Sequence, residues 1–190
     1  HHVSEIAAAA AMASLVLQIN PSHTIVIPVH LPNMFEKIAQ QQGGQVLRCK
    51  VDSQSLMEMS GREGVIMAAD GMGSFVFPQF QAVIDGLMAT VKLIECLAIQ
   101  KTSLSQVVAS LPAYHLAHQE VSCPWEAKGT VMRLLNQQYK DRMAPKIDGI
   151  KILLGEDEWV LVLPDEDQPR FQIIAEGRSE AQARDIVQRY

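Results

Sequence analysis

Residues 148–190 read DGIKILLGEDEWVLVLPDEDQPRFQIIAEGRSEAQARDIVQRY, and the fold is decided here. Ile150, Ile152 and Leu154 recur at every second position, the spacing of a half-buried strand. Trp159 to Leu163 and Phe171 to Ala175 are two further apolar runs of strand length. Gly155-Glu156-Asp157 supplies a hairpin turn between the first two strands, and Pro164 to Pro169 a tight acidic loop between the second and third. Ser179 then opens a helix. Gln182 stands three positions on, which is capping-box spacing, and Ala181, Ala183, Ile186 and Val187 give the helix a weak apolar side. The stretch predicts β-β-β-α, with the helix laid on one face of a small antiparallel sheet.

Moving toward the N-terminus, Glu126 to Tyr139 predicts a helix with Val131, Leu134, Leu135 and Gln138 near one face, and His118 to Cys123 a strand before it. Residues 115–190 therefore read as a compact β-α-β-β-β-α unit. Leu111 to Pro124, LPAYHLAHQEVSCP, connects it to residues 1–114, which have a different pattern. There Ser4 caps an alanine-rich helix that Asn20-Pro21 ends, and Thr24 to Val29 is a β-branched, buried strand. Pro32 to Gln42 is a helix with Met34, Phe35, Ile38 and Ala39 on one side and Gly43-Gly44 as its stop. Gln45 to Val51, Val65 to Ala68 and Ser74 to Phe77 are strands, and Ser53 to Met59 and Ser103 to Leu111 short helices. Ala82 to Gln100 carries Ile84, Leu87, Met88, Val91, Ile94 and Leu97 at helical spacing and predicts one long helix. Strands alternating with helices give a layered α/β domain with a largely parallel sheet. The nearly all-apolar Ser4 to Ile19 helix predicts a partner surface beyond the chain itself, on an upstream domain or on a second copy in a homo-oligomer.

The C-terminal unit resembles the last domain of the phosphohexomutases, the phosphomannomutase and phosphoglucomutase family, whose α+β fold is like that of the TATA-box-binding protein. In that family the hairpin loop is a phosphate loop, typically Arg-Pro-Ser-Gly-Thr-Glu-Pro. The matching residues here are Leu163, Pro164, Asp165, Glu166, Asp167, Gln168 and Pro169. The two prolines and the loop length match. The family's arginine, serine and threonine stand as Leu163, Asp165 and Asp167. A phosphate loop needs hydroxyl and amide donors and a cation, because its ligand is a dianion. Three carboxylates repel such a ligand, and Arg170 is the one cation nearby in sequence. The resemblance thus implies the fold and, through Leu163, Asp165, Asp167, Gln168 and Arg170, a degenerate phosphate site.

The first region resembles the third domain of the same family. FEKIAQQQGGQVLRCKV is similar to its helix, double glycine and strand, and IDGLMATVKLIECLA to its Asp-Gly and long helix, with Asp85 and Gly86 on those positions. The family's sugar loop, commonly Gly-Glu-Xaa-Ser-Gly, is matched by Ala69, Asp70, Gly71, Met72 and Gly73. Asp70 replaces the glutamate and Met72 the serine, with Gly73 retained, so groups that recognise sugar hydroxyls are weakened or lost. The resemblance places the phosphorylated serine and the magnesium-binding loop in two upstream domains, so it implies no catalytic residue and no cofactor in this chain.

Composition narrows the alternatives. The 190 residues are 48% hydrophobic and 19% charged, enough apolar material for a sizeable core and too little charge for extensive disorder. A formal net charge of −5 offers no basic field for nucleic acid or anionic lipid. Cys49, Cys96 and Cys123 have no ligand-type spacing and predict reduced thiols in a cytoplasmic protein. The first helix is too short for a membrane span. His1-His2 looks like the end of an expression tag, which predicts that the chain is cut from a longer protein. His115, His118 and Glu120 suggest a metal site but lack a fourth ligand, so they read as linker residues. Gly71-Met72-Gly73 has no following Gly-Lys-Ser and reads as a turn. Asp165 to Asp167 read as a solvated tip rather than a cation site, and Cys123 as a thiol without a nucleophile's role.

The sequence reading is therefore a non-catalytic, phosphomannomutase-like C-terminal region. The resemblance extends to a fused architecture in which such a region follows a mannose-1-phosphate guanylyltransferase and helps its assembly or regulation. Two alternatives stand beside it. One is a fragment of an active phosphomannomutase or phosphoglucomutase that interconverts hexose 1- and 6-phosphates. The other is a binding module that reuses the old sugar-phosphate cleft. In the first reading hexose phosphates bind weakly or not at all.

Overall fold

The computed structural model describes residues 2–190; His1, half of the tag-like pair, lies outside them. The chain forms two compact units, the first ending at Ala113 and the second spanning Tyr114–Tyr190. Each has its own sheet, and together they give the mixed α/β architecture that the sequence implies.

The first unit contains α1 (Glu5–Ile19), β1 (Thr24–Pro28), α2 (Met34–Gln41), β2 (Gln45–Cys49), α3 (Ser53–Ser60), β3 (Val65–Ala69), β4 (Phe75–Phe77), β5 (Gln81–Ile84), α4 (Gly86–Gln100) and α5 (Leu104–Ala109). Its sheet has the order β2-β1-β3-β4-β5. β1 pairs in parallel with β2 and β3, and β4 and β5 are antiparallel additions. Leu56 of α3 packs among Val26, Cys49, Val65, Ala68 and Val76. Strand pleating sends Ile25, Ile27 and Met67, all fully buried, to the opposite face. Arg48 of β2 braces the β1–α2 connection. Its guanidinium donates to the carbonyls of Pro28 (2.9 Å), Leu31 (2.7 Å) and Pro32 (3.2 Å) and pairs with Glu36.

Two expectations for this unit need correction. α1 requires no surface outside the chain to bury its run Ala9–Leu17, because it packs against α2, α4, α5 and β3. Its alanines let those neighbours approach from several sides, and Gln100 Nε2 donates to the Leu15 carbonyl at 2.7 Å. The long helix from Ala82 is also shorter than its pattern. Residues 81–84 form edge strand β5, and Asp85 starts α4 by accepting from Met88 N at 2.9 Å. A strand and a helix abut in one apolar run, so helical spacing continues across the junction. The face of α4 that packs inward carries Ala89 and Cys96, while Leu87 (83% exposed) and Ile94 (63% exposed) face outward. Burial pushes the Cys96 thiol up from its ordinary pKa.

The second unit contains β6 (Leu116–Ser122), α6 (Trp125–Gln138), a 3₁₀ turn (Lys140–Arg142), β7 (Ile150–Gly155), β8 (Glu158–Pro164), β9 (Arg170–Glu176) and α7 (Glu180–Arg189). The sheet order is β6-β9-β8-β7, antiparallel throughout. Ile150, Ile152, Val160, Ile173 and Ala175 form one side of the core, against Ile186 and Val187 of α7 and Met132 and Leu135 of α6. The expected α6 face is rotated: Leu134 is exposed, whereas Ala127, Val131, Met132 and Leu135 pack inward. On the other strand positions Trp159 is fully buried, donates through Nε1 to Glu176 Oε2 at 2.6 Å, and has Lys151 Nζ 3.8 Å from its ring centroid. Ser179 caps α7, accepting from Gln182 N at 3.2 Å. The Gln182 side chain accepts from Arg178 N, one residue before the cap, so the reciprocal half of the expected capping box is displaced.

Candidate functional site: two aspartate-held turns

The sugar-loop candidates lie in the β3–β4 connection of the first unit. Asp70 directly follows β3 with its carboxylate folded over the turn, where Oδ1 accepts from Met72 N at 2.7 Å and Ser74 N at 2.9 Å. Gly71 has φ +74° and Gly73 φ +105°, conformations that favour glycine. A Cβ on Gly71 would lie 2.5 Å from Leu31 Cδ2, so the turn sits on the loop that Arg48 braces. Met72, standing where the resemblance has a serine, is 69% exposed. Asp70 is thus a turn-holder, with one carboxylate oxygen committed to two amides.

The phosphate-loop candidates lie between β8 and β9 of the second unit. Leu163 is buried in β8. Asp165 turns inward, and its side chain is 9% exposed. Oδ1 accepts from Asp167 N and Gln168 N, both at 3.0 Å; Oδ2 accepts from Arg170 Nε at 2.8 Å and Gln172 Nε2 at 3.3 Å. Hydrogen bonds from Arg170 and the Asp167 amide hold the Asp165 carboxyl at a pKa of about 2, below its ordinary range. The Arg170 guanidinium is held further toward its charged form by Asp165 and by Glu120, whose Oε2 lies 2.5 Å from Nη1. Only Glu166 and Asp167 of the three acidic residues project into solvent, so the expected outward row of three carboxylates is corrected. Their neighbour Gln168 gives the loop an exposed amide donor and a carbonyl that faces the protein.

Arg170 is not the one cation at the loop. Lys128 of α6 is 8% exposed and donates to the carbonyls of Asp165 and of Gln168, the latter at 2.6 Å. Its ammonium also lies 3.8 Å from the Trp125 ring centroid. Sequence reading missed Lys128 because its partners lie 37 and 40 positions away. The single signal is its place on the inward face of α6, in phase with Val131 and Leu135. Pro169 O accepts from Cys123 N at 2.8 Å, which ties the loop to the segment that leads into α6, and Cys123 itself is packed with Val162 and Phe171.

Among the described residues no group of three or more His, Cys, Asp or Glu is placed to hold a metal ion. No described helix is long and apolar enough to cross a membrane.

The family described as phosphoglucomutase/phosphomannomutase, alpha/beta/alpha domain III, matches residues 4–114. A probable phosphoglucosamine mutase of Methanopyrus kandleri is 28% identical over 166 residues, covering 85% of this chain and 36% of that protein. A phosphoglucomutase/phosphomannomutase of Thermococcus kodakarensis is 28% identical over 184 residues, covering 94% of this chain and 39% of that protein. Among solved structures, a phosphoglucomutase/phosphomannomutase family protein of Burkholderia thailandensis superposes with a TM-score of 0.78 at 20% identity, over 98% of this chain and 41% of that one. The last likeness bears on the fold alone. The chain spans well under half the length of each relative. None of the three is named as a guanylyltransferase, and the expected fusion gains no support from them.

Proposed function

The chain belongs to the phosphoglucomutase/phosphomannomutase family, and we propose that it is the C-terminal part of a phosphohexomutase that interconverts hexose or hexosamine 1- and 6-phosphates. The observation that carries this reading is the continuity of the match: relatives named as mutases align through both units, not through the first alone. In this reading the catalytic serine and magnesium belong to upstream domains, which are also the partner proposed for this part. The turns at Asp70 and Asp165 are the remnants of its sugar and phosphate contacts. The experiment is an assay of the natural protein that carries this sequence, with glucosamine 6-phosphate, glucose 6-phosphate and mannose 6-phosphate in the presence of magnesium. Formation of the corresponding 1-phosphate is expected for at least one substrate. No turnover with any of the three would overturn the reading.

A second reading, a non-catalytic family member, is favoured by the Asp165 carboxylate, which takes up donors that a phosphate would need. The same assay decides against it if turnover is found.

A further inference from the structure

Leu87, Val91, Ile94 and Ala98 of α4 stand at i, i+4, i+7 and i+11, the stripe that a helix of a globular domain ordinarily buries, yet all four are exposed. Val83 and Ile84 of edge strand β5, exposed as well, lead into the first turn of that helix. The two charged residues of α4, Lys92 and Glu95, pair with each other at 2.7 Å. Contiguous apolar surface of this kind marks an interaction site. At the N-terminal end of α4 a cavity of about 230 Å³ adjoins it, lined by Val3, Ala8 and Met12 on one side and by Gly86, Ala89 and Leu93 on the other.

Three observations point to one occupant. The family match is described as domain III and begins at residue 4. The chain spans only 36% and 39% of the Methanopyrus and Thermococcus relatives. Val3, close to which a preceding domain joins, itself lines the cavity against α4. A domain attached there is held beside α4 by the covalent link, at a high effective concentration, so a modest apolar contact is enough to seat it. We infer that the outward face of α4, with the cavity at its N-terminal end, is the docking surface for the domain that precedes residue 4. The inference rests on the reading above that places domains of the same protein upstream. It moves the partner surface from α1, whose apolar run is covered within the chain, to α4.

The test is thiol labelling. Leu87→Cys, Ile94→Cys and, as a control on the exposed side of α6, Leu134→Cys are made both in the natural protein that carries this sequence and in the 190-residue chain. Cys49, Cys96 and Cys123 are buried, and peptide-level mass spectrometry separates their reaction with a maleimide from that of the new thiols. A docked position reacts only in the open fraction of molecules, so labelling at positions 87 and 94 is expected to be at least about tenfold slower in the natural protein than in the 190-residue chain. Position 134 is expected to react alike in both. Equal rates at 87 and 94 in the two proteins, or the same slowing at all three positions, would overturn the inference. Protection in the 190-residue chain that grows with its concentration would assign the face to a second copy and overturn it too. If circular dichroism shows that either variant does not fold, Val91→Cys takes its place with the same outcomes. Turnover does not enter this readout: an inactive natural protein that protects positions 87 and 94 keeps the inference, and an active one that leaves them reactive sinks it alone.

Discussion

Asp165 and Gly149 carry the sharpest consequences at the scale of single residues. The folded pKa of Asp165, about 2, lies below its ordinary value. The carboxylate therefore adds stability that is fully present above a pH of about 4 and is lost as pH falls through about 2. Carbon-detected NMR should place its midpoint near 2 and show the Asp167 and Gln168 amides shifting with the same midpoint. An ordinary carboxylate midpoint would contradict the inward geometry. Gly149 has φ +55°, and a Cβ there would lie 2.4 Å from the Val162 carbonyl oxygen. Gly149→Ala should cost about 2 kcal/mol or more in urea unfolding, since main-chain atoms cannot step aside as a side chain does. Neither effect was legible in the sequence beyond the presence of the residues. The tripeptide Asp165-Glu166-Asp167 reads as a solvated tip because composition does not say which carboxylate turns back. That choice depends on amides two and three residues ahead and on cations from α6 and β9.

At the scale of elements, strands bounded by clear punctuation were legible: Trp159 to Leu163 between Asp157 and Pro164, and Thr24 to Val29 after Pro21. The junction of β5 and α4 was not, because Val83 and Ile84 extend the three-and-four spacing that Leu87, Val91 and Ile94 continue. The decisive signal there is Asp85-Gly86, a cap followed by a flexible first residue. The outward position of Leu87 and Ile94 on α4 makes a direct prediction. Leu87→Gln and Ile94→Gln should each change the unfolding free energy by no more than about 0.5 kcal/mol, as surface substitutions do. Ala89→Leu, on the buried side, should cost about 1–3 kcal/mol through overpacking. Chemical denaturation of the three variants checks it; a large loss at Leu87 and Ile94 would contradict their outward position.

For the whole molecule, the family was legible from the frame of two loops rather than from their chemistry, since both retain length and punctuation while Met72, Leu163, Asp165 and Asp167 replace the expected groups. Residues 2–190 alone should give no detectable conversion of glucosamine 6-phosphate to the 1-phosphate, because the proposed reading puts the catalytic serine and the magnesium on upstream domains. Product above a buffer blank in a coupled assay would overturn this. The position of α1 has a further consequence, for synthesis. Its run Ala9–Leu17 is covered by α4 and α5, and the bond from Gln100 to Leu15 spans 85 residues. During translation α1 emerges well before those helices, and at ~5–20 residues per second the delay to the end of α5 is about 5–20 s. Throughout that interval the nascent chain displays its most apolar helix to the ribosome exit and to any holdase nearby. Topology alone fixes the length of that exposure, so strengthening the finished core would not shorten it.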